Sequence, residues 1–165
     1  MRHFNMFHTC ARVFGSSALV AAIFSCSAGF QNEQLSKGQT VYVSVDSHVL
    51  TAPRGMRFSL GATLVIRNTD MSNSMRVTTA DFFDTEGKLL KRFADTPMDL
   101  KPLETKFVHL PEKDVAGGLG ANFIVRWSAG REINSPIIEC LMIGTQSGQG
   151  ISFVSSGKVI KEHTR

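Results

Sequence analysis

Val41, Val43 and Val45 alternate with Tyr42, Ser44 and Asp46, the period of two that a strand with one dry and one wet face requires. The same beat returns in FSLGATLVIRN, where Leu60, Ala62, Leu64 and Ile66 fall inward, and in ANFIVRWS, where Phe123, Val125 and Trp127 share a face. Met75 to Phe83 and Leu89 to Phe93 read as two strands around the turn Asp84-Thr85-Glu86-Gly87. Pro136 opens IIECLMIG, whose near-continuous apolar character predicts a strand buried on both faces, and Ile151, Phe153 and Ser155 complete the series. After residue 30, apolar residues nowhere recur at helical spacing over a dozen positions. The chain is therefore expected to be all-β, an antiparallel β-sandwich of the immunoglobulin-like or a related kind with about eight or nine strands.

The first thirty residues carry a different pattern. Arg2 and Arg12 precede an apolar run from Ala18 to Phe24, and small residues follow, which is the layout of a secretory signal. The run is much shorter than the roughly 20 residues of a membrane-spanning helix. Ile23-Phe24-Ser25-Cys26 resembles the bacterial lipobox, which implies lipidation of Cys26; the bulk of Phe24 keeps ordinary cleavage after Ser27 or Ala28 open. The expected organisation is a signal peptide over 1–26, a flexible tether over 27–38, a β-sandwich domain over 39–160 and a tail over 161–165. The protein is then exported and held in the bacterial cell envelope, lipid-anchored on the periplasmic side or soluble in the periplasm.

Processing also changes the charge. Of 18 Lys and Arg, loss of Arg2 and Arg12 leaves 16 against 14 Asp and Glu, a balance that gives no reason to expect nucleic acid. Cys10 and Cys26 lie in the signal, so Cys140 stands alone in an apolar strand and reads as a small buried hydrophobe rather than a nucleophile.

The densest motif is GTQSGQGISF, Gly144 to Phe153. A phosphate-binding loop needs Lys and then Ser or Thr after its last glycine, and here Ile151 follows Gly150. A dinucleotide fingerprint needs a third glycine where Phe153 stands, and a hydrolase elbow needs Ser where Gln146 stands. What remains is a hairpin turn whose Gln146, Ser147 and Gln149 are candidate ligand contacts. His48, His109 and His163 are not spaced as a metal pair, and no metal or other cofactor is expected. His48 close to Asp46 and Ser47 raises the alternative of a small hydrolase or metal-dependent enzyme, although a triad is assembled from separate elements. Glu139 lies in an apolar strand and needs a cationic partner, Arg67 or Arg126.

KGQTVYV, Ser47-His48, IRNTD ending at Asp70, FFDTEGKLL, GANFIVRW and above all PIIECLMIGTQSGQGISFVSSG resemble a bacterial family known as domain of unknown function 3124, from about Lys37 to Ile160. The resemblance implies a small exported protein or lipoprotein without an assigned activity. A fainter similarity, in strand pattern only, is to the small β-sandwich transducers associated with a cyanobacterial sensory rhodopsin, which implies a binding or signalling module. The expected function is a non-catalytic envelope module that binds a small ligand or another envelope protein. Its candidate contacts are His48, Arg67, Asn122, Glu139, Gln146, Ser147 and Gln149.

Overall fold

The computed structural model describes residues 35–51 and 54–163. The signal segment, Cys26 and most of the tether lie outside the described residues. Within them the chain is all-β and antiparallel, with twelve strands in three sheets where about eight or nine strands were expected. They are β1 (Leu35–Val45), β2 (His48–Thr51), β3 (Met56–Ser59), β4 (Gly61–Arg67), β5 (Met75–Phe83), β6 (Leu89–Arg92), β7 (Met98–Leu100), β8 (Thr105–Leu110), β9 (Ala121–Asn134), β10 (Ile137–Gln146), β11 (Gln149–Ser156) and β12 (Lys158–Glu162).

One sheet runs β12-β1-β9-β5-β6 with β7 also on β5, a second runs β11-β10-β4-β8, and β2 with β3 forms a separate hairpin. The inner faces of the two larger sheets meet in one hydrophobic cluster. Val43, Val125, Trp127 and Val77 of the first sheet are buried with Leu64, Ile66, Cys140 and Met142 of the second. The alternation seen in the sequence places these residues, and each fully buried Leu or Val contributes roughly 1.5–3 kcal/mol. The indole Nε1 of Trp127 is buried without a hydrogen-bond partner, a defect that costs about 1–3 kcal/mol against that gain.

β10 departs from expectation. Ile138, Cys140, Met142 and Gly144 are buried, but Ile137 and Ile143 are 49% and 54% exposed. Only one face of this strand is covered, so the continuous apolar run marks an open outer face rather than a doubly buried strand.

Two glycines let the sheets close on each other. A Cβ on Gly144 would run into the Ser59 carbonyl oxygen, because the chain between β3 and β4 crosses there. At Gly157 a Cβ would lie 2.6 Å from the Ile138 carbonyl oxygen and 2.7 Å from Val41 Cγ1. This is the point at which the chain leaves the second sheet and enters the first.

Order also starts and ends beyond the expected limits. β1 begins at Leu35, inside the segment read as tether, and His163, read as tail, donates its backbone N–H to Gly38 at 2.9 Å. The β1–β9 ladder is continuous from Val45↔Ala121 to Gly38↔Ser128 and then jumps to Ser36↔Ile133. Residues 129–132 of β9 thus bulge out opposite the single residue Lys37.

Candidate functional site

The seven residues singled out from the sequence fall in three places. The hairpin reading of GTQSGQGISF is correct: Gln146 pairs with Gln149 across a two-residue turn, Ser147 at φ 51° and Gly148 at φ 78°. Both central residues have positive φ, the type I′ geometry that matches strand twist. Gln146, Ser147 and Gln149 are exposed there.

His48 starts β2 at the same end of the molecule. Its Nδ1 is buried without a partner. Asp46, two residues before it in sequence, accepts the Gly120 N–H at 2.7 Å, and Ser47 Oγ donates to the Gly118 carbonyl at 2.8 Å. Ser47 and Asp46 therefore tie down the glycine-rich loop before β9, and neither builds a triad with His48. Asn122 lies half-buried on the outer face of the first sheet, between Ser44 and Phe83. Arg67 and Glu139 are brought together on the outer face of the second sheet as a partly exposed ion pair; of the two cationic partners expected for Glu139, Arg67 is the one found.

That outer face also holds what sequence reasoning missed. The registers set Glu139, Val65 and Phe107 in one row, and Val154, Leu141, Thr63 and His109 in the next. Ile143 and Gly61 follow in a third. Phe107 is 70% exposed and Val154 is 55% exposed, so an apolar band crosses the sheet in the open. Beside it lies a groove of about 290 Å³ lined by Gly61, Thr63, His109, Glu112, Leu141 and Ile143. Thr63 Oγ1 and His109 Nδ1 are hydrogen-bonded at 2.9 Å, which orients the imidazole along the groove wall. The signal was present in TKFVHL, where Phe107 and His109 stand two apart, but their shared face is set by pairing to β4.

At the opposite end two cavities flank Ser128, Ala129 and Gly130. One, of about 370 Å³, is bordered by the Arg76–Asp99 ion pair. The other, of about 340 Å³, is walled by Lys37 and His163.

The titratable groups divide in the same way. Burial pushes the Cys140 thiol up to about 12, so it stays protonated and inert at neutral pH. Asp70 is held below the usual carboxylate range by the Ser72 N–H and then by Asn73, while Asn68 Nδ2 donates to the Asn73 and Lys101 carbonyls. These two motif residues hold the loop between β4 and β5. Arg76 lowers Asp99, and Lys106 lowers Glu104. Among the described residues no group of three or more His, Cys, Asp or Glu side chains is placed to hold a metal ion.

No curated protein matches the chain. It is similar to a protein seen in the crystal structure of Thermotoga maritima 1070, at 9% identity and a TM-score of 0.45, with 76% of this chain and 97% of that one covered. Residues 38–160 match the family described as protein of unknown function, DUF3124, so the chain belongs to that family.

Proposed function

We propose that this protein is a non-catalytic β-sandwich module of the bacterial cell envelope, lipid-anchored through Cys26, that binds a polypeptide partner across the outer face of the β11-β10-β4-β8 sheet. The observation that carries this reading is the open apolar band formed by Val154, Leu141, Ile143 and Phe107. A solvated sheet face is ordinarily polar, and a contiguous apolar patch there marks a surface that acquires cover. Arg67 and Glu139 form the polar border of the same face. His48, Asn122 and the Gln146, Ser147 and Gln149 turn do not line the groove, so they have no part in this reading. A hydrolase or metal enzyme built on His48 has weaker support, because Asp46 is already engaged by Gly120.

A photo-crosslinking residue at position 143 or 107 is expected to give one discrete adduct in cells, suppressed by Leu141→Lys. Equal adducts from position 126, on the polar sheet, would sink the proposal. Intact mass of the processed protein tests the anchor: added diacylglycerol on Cys26 supports it, and an unmodified start at Ser27 or later refutes it.

A further inference from the structure

We infer that the cavity beneath the β9 bulge binds a phosphate group. It encloses about 340 Å³ and is lined by Lys37, Ser128, Ala129, Gly130 and His163. On the order of ten waters fill such a volume, so a phosphate ester fits as well as the free ion.

Three observations point to an anion. First, Lys37 forms no ion pair among the described residues. Second, His163 spends Nε2 on Thr40 Oγ1 at 2.9 Å, leaving Nδ1 with no hydrogen bond among the described residues. Third, the neighbouring carboxylate, Glu162, is already taken: its Oε2 accepts from Ser36 Oγ at 2.8 Å and its Oε1 from Gln39 Nε2 at 2.6 Å. An ammonium and an imidazole therefore face one cavity that no carboxylate among the described residues lines; Glu132, exposed farther along the bulge, is not on its walls. Charge-assisted hydrogen bonds to a phosphate oxygen would satisfy both. The bulge makes the room: had β9 kept its register, residues 129–132 would have continued the ladder past Lys37.

Lys37 and His163 flank the span shared with the family, so this site is argued for this chain alone. The source of the phosphate is a lipid headgroup or a free phosphate ester. The headgroup source rests on the anchor proposed above. Cys26 lies nine residues before Leu35, which holds this end of the domain within ~30 Å of a bilayer. Leu35, 54% exposed, stands two residues from Lys37. The free-phosphate source needs no anchor, so failure of the anchor leaves that arm of the test intact.

The test titrates the processed protein with inorganic phosphate and, separately, with monomeric short-chain phosphatidylglycerol, following the melting temperature. A saturable rise with one or both is expected, and the ligand that saturates at lower concentration identifies the source. Lys37→Gln combined with His163→Gln should weaken binding about tenfold or more. Gly130→Asp should do the same by placing a carboxylate at the rim, and a side chain there meets no atom within 4 Å. Arg76→Gln, in the neighbouring cavity, should leave binding unchanged. The inference is overturned if neither ligand raises the melting temperature, if the double variant and Gly130→Asp bind like the wild type, or if Arg76→Gln loses as much as they do.

Discussion

The two large sheets bury equivalent inner faces and present opposite outer ones. On the first sheet, Tyr42, Ser44, Asn122, Arg126 and Asp81 meet solvent around a half-buried Ile124, with Ile160 exposed only at the edge strand. On the second, Phe107, Ile137, Ile143 and Val154 do. Since both sheets twist, pair and pack on the same core, nothing in folding demands apolar residues on the second outer face. That difference separates what the fold needs from what a partner needs.

Breaking the core should have the largest effect. Leu64→Ala, fully buried between the sheets, is expected to cost about 2–5 kcal/mol in denaturant unfolding. If it costs under 1 kcal/mol, the sheets do not share the core described. Between core and surface lies the Arg67–Glu139 pair, whose partners keep 39% and 23% of their side-chain exposure. Glu139→Gln should cost about 0.5–1 kcal/mol, shrinking in high salt. Ile143→Lys should change stability by no more than about 0.5 kcal/mol while abolishing the crosslink; a loss comparable to Leu64→Ala would make this face structural and end the comparison.

The smallest effect is set by pH. Asp70 and Asp99 have folded values below the ordinary carboxylate value of about 4, so the stability they contribute is complete above that value and is lost as pH falls through the lowered ones. The melting-temperature gap between wild type and Asp70→Asn should therefore be constant from pH 7 to 5 and close below pH 4. A gap that widens in acid contradicts the assigned hydrogen bonds.

Much of this was legible in the residues. Period-two alternation identified β1, β4 and β9 because each has one wet face, and the residues of the two turns declared both hairpins. Alternation failed at β10, where an apolar outer face imitates burial. The strand number was underestimated because the short β2 shows no clear alternation, β3 merges with β4 in FSLGATLVIRN, and Gly157 is a sheet switch that looks like an ordinary residue between two strands. Arg67 was one of two partners foreseen for Glu139, and pairing of β4 with β10 decides between them. The groove, by contrast, needs Thr63, His109 and Leu141 from three strands, and the cavity at the other end arises from a register jump. Neither has a local signature.

One consequence follows from the way Gly157 carries the chain between sheets. β12 covers the flank of β1 from Gln39 to Tyr42, and His163 closes over Thr40. A product clipped after Gly157 would present a bare strand edge with valines behind it, an invitation to pair with another copy. The last six residues described therefore cover that edge, so a cut there would expose it and remove His163 from the cavity at the same time.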